Sequence, residues 1–232
     1  MAGAPAARHD RPMTSPAIAI AAAHTVRADS LLLTRGRNQG DDVLAVAAGL
    51  LLDGALAGVL DVTGRRRLGI DLRRVRAAGT SPEPLLADLR RRIEAVSPDT
   101  PQGWLERAMV YAPDRVRDEL LATGAVAPAA AGLLQIVRRR AFEVVDDAAL
   151  AAARGRARAG LVAHGPREVA LAGLLRETEL FGRANGGPPS RREGRALDAA
   201  ITELPVAAQA ILATLGEIRR RNERVGGWYA DD

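Results

Sequence analysis

The chain has no cysteine, which excludes disulfides and any zinc site built on thiolates and is compatible with a reducing cytoplasm. It has no lysine either, so all 33 basic side chains are arginine. Aromatic residues make up only 3% of the chain. The core must therefore be built from Leu, Val, Ile and Ala, which suits helices packed closely through small side chains. Histidine is equally scarce: His9, His24 and His164 show no metal-ligand spacing, and no metal or cofactor is expected. Long apolar runs are missing too. Leu120 to Val137 carries no charge, but Gly124, Pro128 and Gly132 make it turn chemistry rather than a membrane span. The Ala17 to Ala23 run is too short and too rich in alanine for a secretory signal, and none is expected.

At 232 residues and 47% hydrophobic, the chain is long enough for one sizeable domain. The net charge of +5 comes entirely from arginine. Two readings of that excess stay open. Arginine in place of lysine, with abundant alanine, is what a GC-rich bacterial coding sequence produces. Guanidinium groups also hold phosphate bidentately and never titrate near neutral pH, so an arginine face suits anionic lipid or nucleic acid.

The pattern along the chain is helical, with two hairpins, and predicts a mainly α fold: a single helical domain around a core bundle. Residues 1–28 lack a period and are expected to be a disordered tail, with the domain over 29–221 and a C-terminal tail over 222–232. Leu31 to Leu33 is a short apolar run, and Asp41 or Asp42 suits a cap for the next helix. On that helix Val43, Ala47, Leu50 or Leu51, and Ala55 share one face. Val59 to Val62, Thr63-Gly64 and Arg67 to Ile70 predict strand, turn and strand. Ser81-Pro82 opens a helix that carries Leu85, Leu89 and Ile93, and Ser97-Pro98 stops it. Thr100-Pro101 opens a short helix with Trp104 as a core anchor, and Pro113-Asp114 opens another that Gly124 closes. Ala125 to Ala127 and Leu133 to Val137 form the second hairpin. Helices then run over 146–163 and 166–181. Ser190 and Glu193 have capping-box spacing, and the last helix covers 206–221.

No catalytic residues emerge. Asp41-Asp42 and Asp146-Asp147 precede helices, where a carboxylate caps free amides and meets the positive end of the dipole. Neither glycine cluster, Arg154-Gly-Arg-Ala-Arg or Asn185-Gly-Gly-Pro-Pro, matches a phosphate-binding loop. The arginine triplets at 65–67, 90–92, 138–140 and 219–221 read as solvated faces. The sequence points away from an enzyme.

In order and spacing, LLLT, GALAGVLDV, PLLADLRRRI, GWLERA, VRDELLATGAV and PREVALAGLLRETELF resemble the Golgi phosphoprotein 3 family over roughly Asp29 to Arg221. The resemblance implies an N-terminal leucine-rich strand, a core helix, two hairpins and a peripheral membrane protein that binds anionic lipid, phosphatidylinositol 4-phosphate in eukaryotic members. It places Asn38 where such members have a headgroup-binding Trp, Ala47 where they have an Arg, and Val110 and Pro113 near their other two basic positions. The eukaryotic pocket thus does not carry over residue by residue. Arg35, Arg37, Arg115 and Arg117 are the alternative headgroup cluster that the resemblance implies, with the loop before the core helix facing the VR helix. Leu133 and Leu134 on the second hairpin are implied as membrane or oligomer contacts, and ordinary core-facing strand residues are the competing reading. The expected partner is an anionic membrane lipid, in the cytoplasm at the inner face of the membrane, with self-assembly through the second hairpin. Two alternatives stand beside it. One is a winged-helix-like nucleic-acid binder, in which Thr63-Gly-Arg-Arg-Arg would be a wing. It is disfavoured because the helices before both hairpins are apolar or acidic. The other is a protein-interaction adaptor.

Overall fold

The computed structural model describes residues 25–34, 40–67, 70–128, 142–162 and 165–226. Among these the chain forms nine α-helices, α1 (Val26–Thr34), α2 (Gly40–Leu56), α3 (Pro84–Ala95), α4 (Pro101–Thr123), α5 (Asp147–Ala159), α6 (Pro166–Glu177), α7 (Leu180–Asn185), α8 (Arg191–Ile201) and α9 (Val206–Gly226). The strands are β1 (Leu60–Thr63), β2 (Arg66–Arg67), β3 (Ile70–Asp71), β4 (Arg74–Ala77), β5 (Val126–Pro128) and β6 (Phe142–Val144). The expected mainly α fold with two hairpins is what the chain adopts.

The core is organised around α2, against which α1, α4, α6 and α9 pack. From Ala45 to Ala55 every residue of α2 is buried, so this helix has no polar face and depends on its neighbours for stability. Gly49 is where α1 comes closest: a methyl group added there would lie 2.7 Å from the Arg27 Cα. Trp104, 1% exposed, is the core anchor expected of it.

Several local capping signals act where the sequence places them. Thr100 accepts a hydrogen bond from the Gly103 amide and Pro101 follows as the first helical residue. Asp146 accepts from the Ala149 amide. Ser190 and Glu193 form both bonds of a capping box. Gly124 closes α4 in the left-handed region at φ 75°, a conformation that costs glycine little.

Several expectations are corrected. The run expected as an N-terminal strand is helix α1, and it begins at Val26, so the folded part starts before Asp29. Likewise α9 extends past Arg221 to Gly226. Pro113 opens no new helix but sits inside the 23-residue α4. The proline denies one amide to the turn before it, yet the stripe of Leu105, Ala108, Ala112, Val116 and Leu120 stays buried straight through it and holds the helix together. Thr63-Gly64 is not the turn of the first hairpin. Leu60 faces Ala77, Thr63 faces Arg74, Arg66 faces Asp71 and Arg67 faces Ile70, so β1–β2 and β3–β4 form one longer hairpin in a single register that reverses between Arg67 and Ile70. The helix expected from Ser81-Pro82 begins two residues later, with Glu83 before it and Pro84 as its first residue. The helix expected over 166–181 is interrupted after Glu177, where Glu179 takes a positive φ of 58°. In the second hairpin β5 pairs with β6, and Leu133 to Val137 lie outside the described residues.

Candidate functional site

Of the expected headgroup cluster, Arg115 and Arg117 are both on α4, but two helical positions apart they project in nearly opposite directions. Arg115 is exposed and lines an open cavity of about 430 Å³ with Leu85, Asp88, Arg91, Asp118 and Glu119. Arg117 pairs with Asp114 at 2.8 Å and Asp118 at 3.5 Å. The surface around the VR segment therefore mixes both signs of charge. Arg35, Arg37 and Asn38 lie outside the described residues, as do Leu133 and Leu134. Ala47 is fully buried in α2, so an arginine there would have to displace core. Val110 is 82% exposed and Pro113 is half-buried, and neither supplies a cation.

The part of the N-terminal helix pair that meets the VR segment is Arg27, which sequence reasoning left in the tail. Its side chain is only 2% exposed. Nη1 donates to Asp53 Oδ2 at 3.1 Å, Nε donates to Glu119 Oε2 at 3.1 Å, and Glu83 completes the set. Asp53 also accepts the amides of Val26 at 2.9 Å and Arg27 at 3.1 Å, so a side chain from α2 caps the start of α1. Burial pushes the Asp53 carboxyl above its ordinary value, while the Arg27 guanidinium and the two amides pull it back. Removing one partner from such a set would leave a buried charge uncompensated.

The same pattern recurs beside it. Asp29, 2% exposed, accepts from Arg156 Nε at 2.7 Å and Nη2 at 2.6 Å in a bidentate pair that raises the Arg156 pKa. Asp42, 1% exposed, accepts from Arg183 Nη1 at 3.4 Å. Three carboxylates with no apolar role are thus held inside by arginines distant in sequence. The available signal was the VRADS segment, whose charges sit among apolar neighbours, but their partners are supplied by α2, α4 and α5.

The second triplet is also spoken for. Arg90 pairs with Glu94 at 2.6 Å, and Arg91 and Arg92 pair with Asp88 at 3.0 and 2.8 Å. Arg92 also lies over the Tyr111 ring, 4.2 Å from its centroid. Burial pushes the Tyr111 hydroxyl up to about 12 against the pull of Arg92.

The first hairpin differs. Residues 65–76 contain six arginines and one acid, Asp71. Arg73 is tied down, to Asp71 at 2.8 Å, to the Ala210 carbonyl at 3.3 Å and to Glu217 at 3.5 Å. Among the described residues Arg74 donates to the carbonyls of Asp71 and Arg73, at 3.2 and 2.8 Å. Arg65 and Arg76 are exposed and form no ion pair with a described residue. Between this hairpin, α6, α8 and α9 lies an open cleft of about 620 Å³, with Arg65, Arg73, Arg176 and Arg220 and the acids Glu177 and Asp198 around apolar Ile201, Val206 and Ala213.

Among the described residues no helix is long and apolar enough to cross a membrane. No group of three or more His, Asp or Glu among them is placed to hold a metal ion, and all three histidines lie outside the described residues. What is described is a helical body whose interior acids are held by arginine, with a basic hairpin at its surface. The chain belongs to the Golgi phosphoprotein 3 (GPP34) family, whose model matches residues 30–224. No curated protein matches it.

Proposed function

We propose that the chain is a non-enzymatic peripheral membrane protein that lies in the cytoplasm against the inner face of the membrane and binds anionic lipid through arginine, phosphatidylinositol 4-phosphate included. The observation that carries this reading is the family match over residues 30–224, because anionic-lipid binding is what the resemblance to that family implies. With Ala47 buried, the binding is to surface charge rather than to a copy of the eukaryotic headgroup pocket. Arg35, Arg37, Arg115 and Arg117 are the proposed headgroup contacts, and Leu133 and Leu134 the proposed membrane or self-association contacts. The exposed pairs of Arg117 with Asp114 and Asp118 do not stand in the way, since such pairs are worth about 0–1 kcal/mol and give way to a phosphate.

Nucleic acid is the weaker reading. The helix before the first hairpin is α2, buried on every side from Ala45 to Ala55, and such a helix offers no face to a groove. Co-sedimentation with anionic vesicles at low salt tests the proposal. The Arg115→Glu/Arg117→Glu variant is expected to lose most of its binding. Unchanged binding would remove those two residues, and no binding by the wild-type protein would leave a protein-interaction adaptor as the better reading.

A further inference from the structure

The first hairpin carries six arginines and one acid between residues 65 and 76, and its geometry shows why part of that charge is available. Leu60, Val62 and Val75 turn inward, which commits one face of β1 and β4 to the core. Thr63, Gly64 and Arg65 are exposed, so the hairpin leaves the body beyond Val62. Arg73 anchors the returning strand to α9 through the Ala210 carbonyl and Glu217. That contact fixes the hairpin and uses up one arginine. Asp61, opposite Arg76 in the register, accepts from the Val62 amide at 2.7 Å and makes no ion pair with Arg76. Elsewhere several surface arginines of α3 and α4 find an acid three or four residues away, as Arg90 finds Glu94, Arg91 finds Asp88 and Arg117 finds Asp114. On the hairpin, by contrast, Asp71 is engaged by Arg73 and Asp61 leaves Arg76 without an ion pair.

Two features point to a bilayer rather than to a nucleic-acid backbone. Leu72 is 46% exposed between Asp71 and Arg73, a placement that puts an apolar side chain level with phosphate-binding guanidiniums. The cleft at the base of the hairpin sets Arg65 beside apolar Ile201, Val206 and Ala213, while its two acids, Glu177 and Asp198, pair with Arg176, and Val206 is itself 67% exposed. Cations beside exposed apolar side chains match the headgroup-to-acyl boundary of a membrane.

We propose that the first hairpin, with Arg65, Arg74 and Arg76 as phosphate contacts and Leu72 as a shallow apolar contact, is a second membrane-binding arm of this protein. The proposal rests on the anionic-lipid reading above and adds a surface that the expected cluster does not contain. Arginines near an anionic bilayer each strengthen partitioning by about fivefold, and the effect falls within a Debye length.

The test is co-sedimentation of the full chain with phosphatidylcholine vesicles, with and without phosphatidylserine, at low and high salt. The wild type is compared with Arg65→Ser/Arg76→Ser and with Leu72→Ser, and duplex DNA is run in parallel. Both arginines are exposed and form no ion pair with a described residue, so circular dichroism and the melting temperature should match the wild type. The double variant is expected to lose about 25-fold in affinity for phosphatidylserine vesicles, and Leu72→Ser a smaller factor that persists at high salt. If the wild type binds these vesicles and the folded double variant binds equally well, the hairpin proposal fails while the lipid reading stands. If the wild type binds no vesicle, both fail. Hairpin-dependent binding to DNA but not to vesicles would reassign the surface and overturn the proposal.

Discussion

The surroundings of α1 and the first hairpin use the same side chain in opposite ways. Around α1, Arg27, Arg156 and Arg183 each meet a carboxylate buried to 5% exposure or less, on Asp53, Asp29 and Asp42. On the hairpin, Arg65 and Arg76 meet no carboxylate among the described residues. The comparison teaches that arginine content is not a measure of binding surface. A guanidinium within reach of a buried acid is part of the fold, because neither charge can be left alone in a low-dielectric interior. A guanidinium that forms no ion pair keeps its field for something outside. The +5 net charge is the remainder after these internal pairings.

The sharpest way to break this comparison is at Arg27. Arg27→Ala strands Asp53 in the interior and removes the shared partner of Glu83 and Glu119, so it should destabilise the fold by about 3–5 kcal/mol, read as a lower urea midpoint. A loss below about 1 kcal/mol would mean that the cluster relaxes to water and that Arg27 is no more structural than a surface arginine. Gly49→Ala comes next. Its new methyl would sit 2.7 Å from the Arg27 Cα, and prying α1 off α2 should cost about 1–3 kcal/mol in the same assay.

Smaller effects separate exposed pairs from buried ones. Hydrogen bonding to Arg92 holds the Asp88 carboxyl below its ordinary 3.8. The stability it contributes is therefore present above pH 3.8 and is lost as pH falls through the lowered value. Asp88→Asn should cost about 0–1 kcal/mol at neutral pH, and the difference should vanish in acid unfolding curves. Asp53 has the opposite sign. Its carboxyl is raised above 3.8, so the unfolded chain releases that proton first as pH rises. Its ionisation then weakens the fold until pH passes the raised value. The smallest expected stability change is on the hairpin. Arg65→Ser/Arg76→Ser should leave the urea midpoint within about 0.5 kcal/mol of wild type while reducing vesicle binding, the reverse of what Arg27→Ala should do.

Features written in a few adjacent residues were legible in the sequence. The caps at Thr100, Asp146 and Ser190 and the stop at Gly124 each need only a side chain and the next turn of backbone, and they appear where expected. The helix stripe on α3 was legible for the same reason, since periodicity is local. Features decided by distant partners were not. The start of α1 at Val26 depends on the Asp53 carboxylate, 27 residues away, and without it Val26 and Arg27 look like tail. Pro113 reads as a break until the buried stripe on both sides of it is seen to be continuous. The turn of the first hairpin was misplaced because Thr63-Gly64 has turn chemistry, while the register that overrides it is set by the pairing of Leu60 and Val62 with Ala77 and Val75. As for the site, the family resemblance drew attention to α4, where Arg115 and Arg117 stand among acids. The basic hairpin was visible as a triplet, but that Arg65 and Arg76 form no ion pair with a described residue is decided by strand pairing rather than by the run itself.

The most direct test of the account is binding of the wild-type chain to vesicles of phosphatidylcholine alone, with phosphatidylserine, and with phosphatidylinositol 4-phosphate at matched charge, at two salt concentrations. With Ala47 buried and arginine acting as surface charge, both anionic vesicles should bind comparably and release the protein as salt rises. Binding confined to phosphatidylinositol 4-phosphate and resistant to salt would contradict the account, as would the absence of binding to any vesicle.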